Sequence, residues 1–359
     1  MQLDEATSHP RPRVVVGVDT HKDIHVARAK DGLGHLVGEL SVPATSQGYR
    51  QLLAWAEGLG ERLTFGIEGT SSYGAGLSRF LLGRGHGVIE VTGPNRKARR
   101  SNGKSDPADA DAAASAVLSG EADGLPKHGS GPVEMIRALR VARSGAVKAH
   151  TQGINALKGL AVTAPEALRA DLAGKSTREL VHVCSRFRVA ECSSPHDANR
   201  LAIRSIARRL VVLEDEIALL NRELIRLTQA AAPKLMELPG VGAEVAGSLL
   251  VSVGDNPERM RSEAAFASLC GVSPVQASSG KTVRHRLNRG GDRRANQALW
   301  RTVVVRIRYG HEPTAAYVAR RTAEGLSKRE IIRCLKRYVA REFYAVLMAD
   351  QSGQASNAA

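Results

Sequence analysis

Val14–Asp19, the run VVVGVD, decides the reading of the first third of this chain. Four valines broken only by Gly17 read as a buried strand, and that strand ends on a carboxylate. Thr64–Glu68, TFGIE, repeats the pattern. A carboxylate carried out of a buried strand is costly unless it has a partner, so two such ends point to chemistry rather than packing. A third stretch, Lys104–Ala114 (KSDPADADAAA), opens a helix with Asp106 and Asp109 three residues apart on one face. Asp19, Glu68, Asp106 and Asp109 together could hold divalent metal, and two metals about 4 Å apart form the usual clamp for in-line attack at phosphorus.

Each acid also has a plainer reading. Asp106 directly precedes Pro107 and fits an N-cap followed by a first-turn proline. Asp109 suits the first turn of any helix. Asp111 lies about 200° around the helix from Asp109 and faces away, so it is left out of the set. Asp23 falls beyond the first strand and is expected to be exposed.

Outward from these runs, the pattern predicts strands over Val14–Asp19, Ile24–Ala29, His35–Val42, Leu63–Glu68 and Val88–Val91. A turn at DGLG joins the second and third. Helices are expected over Gln47–Leu59 and Leu77–Leu82, and from Pro107 onward. Three early strands followed by alternating α and β make a mixed-sheet α/β layout.

The chain has 359 residues and a formal net charge of +15. Between Lys281 and Arg341 stand 17 Lys and Arg against four acids, the balance of a polyanion-binding surface. Aromatics make up only 4% of residues, so backbone electrostatics are expected to outweigh base stacking. Cys184, Cys192, Cys270 and Cys334 lack metal-ligand spacing and read as reduced thiols of a cytoplasmic protein. No run approaches the roughly 20 apolar residues of a membrane span, and no secretion signal is recognisable.

From 132 to 232 the pattern is helical. Ile203, Ile206, Leu210, Leu213, Ile217, Leu220, Leu224 and Leu227 alternate spacings of three and four, a heptad seam that predicts a coiled coil and self-association. The same stripe would also serve a bundle within one chain. From 233 a third region begins. Leu238–Gly242, LPGVG, sits between helical stretches as in a helix-hairpin-helix, where backbone N–H groups, here of Gly240 and Gly242, can meet a phosphate. Then comes Ser278-Ser279-Gly280 ahead of Lys281, Arg284, Arg286, Arg289, Arg293 and Arg294. With Lys104 in the basic loop before the aspartate pair, these are the candidate nucleic-acid contacts.

The acids resemble the DEDD arrangement of RuvC-type nucleases, and their combination with LPGVG, GVSP, SSG and RGGD resembles the transposases of the insertion-sequence one-ten family, relatives of the Piv-type DNA invertases. The resemblance covers about residues 13 to 345. It implies an RNase H-like (RuvC-like) domain over 13–131, a helical coiled-coil connector over 132–232 and a mainly α-helical serine transposase domain over 233–349. Residues 1–12, polar and proline-bearing, are expected to be a disordered tail, as are 350–359. It implies Mg²⁺ on Asp19, Glu68, Asp106 and Asp109, and a covalent link from Ser279 to a cut DNA strand, with Ser278 the rival. It further implies donor and target DNA, a non-coding bridge RNA that chooses them, and a homo-oligomer: a dimer through the coiled coil and a tetramer when active. A metal-dependent junction-resolving nuclease, an invertase without an RNA guide and a non-enzymatic nucleic-acid scaffold are the alternatives.

Overall fold

The computed structural model describes residues 13–91, 105–189 and 191–358. Lys104 and the first expected tail lie outside them. The chain divides into two compact units, residues 1–131 with 253–261, and residues 132–252 with 262–359. The connector expected from the sequence falls within the second, as does the expected serine domain apart from residues 253–261.

In the first unit β1 (Arg13–Thr20), β2 (Ile24–Lys30) and β3 (Leu36–Pro43) form an antiparallel meander. The turn between β2 and β3 bends where expected, with Asp31 accepting hydrogen bonds from the N–H groups of Leu33 and His35. Then follow α1 (Ser46–Leu59), β4 (Arg62–Glu68), α2 (Ala75–Leu82), β5 (Gly87–Val91) and α3 (Asp106–Leu118). The sheet order is β3-β2-β1-β4-β5, with β1, β4 and β5 parallel.

β1 is buried from Val14 onward because both its faces are covered. Val14, Val16 and Val18 join Leu52, Phe65, Leu77 and Leu81 in one core under α1 and α2. Val15 points the other way, to Ala113, Ala114 and Val117 of α3. The continuous valine run therefore reflects a strand with no solvent face.

The second unit is built on two long helices, α4 (Pro132–Thr163) and, after α5 (Glu166–Leu172) and α6 (Thr177–Ser185), α7 (Pro195–Ala231). α4 and α7 run antiparallel: His150 meets Glu214 and Arg143 meets Asn221. Close approach is possible because Gly153 leaves room for Leu210, whose Cδ2 lies 2.8 Å from where a Cβ would sit. Much of the heptad seam is thus spent within the chain. Ile203 and Leu210 are buried with Leu157, Leu168 and Cys184, and Leu224 and Leu227 are buried nearer the end of α7. Leu213, Ile217 and Leu220 in the middle are half-buried.

Beyond them lie α8 (Pro233–Glu237), α9 (Ala243–Val253), α10 (Glu263–Leu269), the short pair β6 (Val275–Gln276) and β7 (His285–Arg286), then α11 (Arg293–Arg308), α12 (Glu312–Ala323) and α13 (Lys328–Ala358). The capping box at Ser327 and Glu330 opens α13. Residues 350–358, expected as a disordered tail, continue this helix. Asp350 is buried, and its carboxylate accepts the N–H groups of Lys234 and Leu235 at the start of α8. All four cysteines are free thiols. Burial pushes Cys184 up to about 11 and Cys270 up to about 12, which makes both inert.

Candidate functional site

Two glycines bring the acids of the first unit together. Gly17 on β1 and Gly66 on β4 are register partners. A Cβ on Gly17 would lie 2.0 Å from the carbonyl oxygen of Ala110, and one on Gly66 would meet Val117 and the carbonyl of Ala113. α3 therefore rests directly on the backbone of the two central strands. Side chains alternate along a strand, so Asp19 and Glu68, two residues beyond these glycines, share the face that α3 covers. Thr20 ties the strand ends by donating its hydroxyl to the carbonyl of Glu68 at 2.8 Å.

Asp19 is only 7% exposed, as is Asp109. His21 Nε2 lies 3.1 Å from Asp19 Oδ2 and 3.3 Å from Asp106 Oδ1. Asp19, His21 and Asp106 each offer a ligand atom within 4.8 Å of the others. Burial raises the pKa of the Asp19 carboxyl; His21 opposes this, while the negative charges of Asp106 and Asp109 add to it. A buried carboxylate crowded by two more is the donor set that a hard divalent cation relieves, so these residues fit a metal.

Asp106 does not cap α3. Ser105 does, accepting the N–H of Ala108, with Pro107 in the first turn. That leaves the Asp106 carboxylate, half exposed, turned towards His21. Asp111 faces away as expected and pairs with Lys30 at 2.8 Å. His21 is the residue that reading from the sequence missed. Its one signal was position, two residues past a strand-ending acid.

In the second unit Ser279 and Thr282 exchange both backbone hydrogen bonds around Gly280, whose φ of +53° suits a left-handed turn. The two serines differ. Ser278 Oγ accepts from Arg284 N and lies within reach of the Arg284 carbonyl and of Gln276. Ser279 is exposed, and its hydroxyl makes no hydrogen bond among the described residues. Lys281, Arg284, Arg286, Arg289, Arg293 and Arg294 are all exposed. In the LPGVG turn, Gly240 (φ +80°) packs against Thr302 and Val305 of α11, whereas Gly242 faces open space. Close backbone packing explains the first glycine, which leaves Gly242 the better placed for a ligand. In RGGD, Gly291 (φ +85°) lets the turn pack onto Leu269, and Asp292 caps α11.

Residues 16–163 match the DEDD-type family model described as a transposase. Residues 232–319 match the model described as Transposase IS116/IS110/IS902 family. One curated relative, the insertion element IS110 uncharacterized 43.6 kDa protein of Streptomyces coelicolor, is 27% identical over 150 residues. That alignment covers 41% of this chain and 36% of the relative, so the chain spans little more than a third of the relative it matches. The first family model spans the acids and the second the LPGVG and SSG motifs, in the order in which the sequence carries them. The chain belongs to the IS110 family of transposases.

Proposed function

We propose that this protein cuts and rejoins DNA strands as the recombinase of an insertion sequence, with a carboxylate-held Mg²⁺ and a serine nucleophile. The observation that carries the proposal is the convergence of Asp19 from β1 with Asp106 and Asp109 from α3, residues almost ninety positions apart, around one buried carboxylate. Asp19, Glu68, Asp106 and Asp109 are the ligands, and His21 holds the Asp19 and Asp106 carboxylates in place. A bound divalent cation would supply charge neutralisation at phosphorus.

The Ser279 hydroxyl is the nucleophile. Its Oγ forms a bond to phosphorus as the bond from phosphorus to the 3′ oxygen breaks; the hydroxyl proton leaves to solvent, and the departing 3′ oxygen takes one up from solvent to become a 3′ hydroxyl. The phosphodiester energy is kept in the phosphoserine, which a second strand's 3′ hydroxyl then attacks. A free hydroxyl on an exposed turn, followed by a run of arginines that favours negative charge, supports this role. In the same reading a bridge RNA pairs with donor and target DNA, and the half-buried middle of the α7 seam joins subunits.

Trapping tests it. Protein, RNA and labelled donor DNA in Mg²⁺ should yield a denaturant-resistant protein–DNA adduct that Asp19→Asn and Ser279→Ala both abolish. Metal-dependent cleavage by Ser279→Ala at the wild-type rate, with no adduct in either protein, would leave a junction-resolving nuclease instead. An adduct formed without RNA would point to an invertase-like enzyme.

A further inference from the structure

A concavity of the second unit opens beside the hairpin that carries the serine turn. It is a cavity of about 690 Å³ walled by residues 271–274, by β7 and the residues after it, and by α12 and α13. Its volume falls within the roughly 300–1,000 Å³ typical of sites for single small ligands. Among the described residues, seven Lys or Arg side chains line it and no carboxylate does.

Those cations are unevenly neutralised. Glu263, behind the wall, pairs with Arg337, and Glu324 pairs with Arg321. Arg286 makes no ion pair among the described residues, and Arg333 feels the charge of Glu330 without forming a close ion pair. Among the described residues the half-buried Lys336 ammonium has only the neutral Asn296 Oδ1, at 2.9 Å. Burial lowers its pKa, and the neighbouring Arg333 lowers it further. Positive charge held together this way is relieved by an anion.

An anion alone does not account for the rest of the wall. Tyr317 and Tyr338 meet edge to face with centroids 5.4 Å apart, and Leu287 and Val272 add apolar surface. Tyr338 is 53% exposed, so its ring is open to a partner. An intact duplex presents phosphates on a convex surface and keeps its bases stacked inside, so it has no use for an aromatic recess. An unpaired nucleotide has both halves of the match, a charged backbone and a free π-face.

We propose that this cavity binds one unpaired nucleotide of a single-stranded segment, its phosphate on Arg286 and Arg333 and its base against Tyr338. The inference rests on the reading of the chain as a nucleic-acid enzyme but requires no catalysis, so it is tested in EDTA. Single-stranded DNA and RNA carrying one 2-aminopurine, and a duplex of the same length, are titrated with the full chain.

The base fluorescence should be quenched on binding of at least one single strand. Tyr338→Ala should abolish the quench and weaken single-strand binding about tenfold while changing duplex binding by less than about twofold. Tyr338→Phe should behave as wild type. Arg333→Gln should keep the quench and lower the salt dependence of log K by about one unit. Quenching of RNA alone would identify a guide strand as the ligand, and of DNA alone a displaced substrate strand. An unchanged quench and affinity in Tyr338→Ala, or equal losses for duplex and single strand, would overturn the proposal. Cleavage that needs Asp19 in a protein whose Tyr338→Ala variant binds normally would sink this site and leave the catalytic reading standing.

Discussion

Gly17 of β1 lies against the backbone of Ala110 of α3 so closely that a Cβ would sit 2.0 Å from the carbonyl oxygen. Backbone cannot yield as a flexible side chain can, so the helix would have to lift from the sheet. Gly17→Val should therefore destabilise the fold by about 3 kcal/mol and disperse Asp106 and Asp109 from Asp19. Denaturant titration would report the first effect and metal-dependent thermal stabilisation the second.

Asp19 sets function against stability. Its folded pKa is raised above the ordinary 3.8, so the stability it contributes is present below that value and is lost as pH rises through the raised one. Metal-free Asp19→Asn should thus melt higher than wild type at neutral pH, by about 2 °C, with the difference vanishing in acid. Mg²⁺ should raise the wild-type midpoint and leave the variant unmoved. Scanning calorimetry with and without metal checks both signs.

The two serines should separate cleanly. Ser278→Ala removes a hydroxyl that ties the turn to Arg284, so it should slow adduct formation about tenfold by loosening the nucleophile's position. Ser279→Ala should abolish the adduct. Single-turnover trapping on gels distinguishes a slowed reaction from none, and the reverse ranking would transfer the nucleophile to Ser278.

Arg306 is buried on α11 and binds two partners at once. Its guanidinium donates twice to Glu342 of α13, at 2.7 and 3.0 Å, and once to the Pro239 carbonyl of the LPGVG turn at 2.8 Å. Lysine keeps the charge but not the fork. Arg306→Lys should cost about 2–3 kcal/mol, measured by chemical unfolding.

Leu213 and Leu220 lie in the half-buried middle of the α7 seam. If subunits join there, Leu213→Asp with Leu220→Asp should lower the mass seen by light scattering while the melting midpoint falls only modestly. A lower midpoint at unchanged mass would assign the whole seam to the intramolecular hairpin.

Period and punctuation carried much of this molecule. VVVGVD and TFGIE read as buried strands ending in acids because the β-branched run and its terminus are local facts. The spacing of Asp106 from Asp109 placed both at the start of one helix, and the angular offset of Asp111 turned it away. The tertiary structure decided what depends on contact between distant segments: that Ser105 frees Asp106 from capping, that His21 joins the acids, and that Asp350 meets the start of α8. It also decided that the seam packs largely on α4 and that two of six tyrosines face seven cations across one cavity. The reason is geometric. Local pattern reports neighbours within a turn or a strand, whereas a site forms where backbones approach closely, here at Gly17, Gly66 and Gly153, and no residue announces which distant segment will fill the space it leaves.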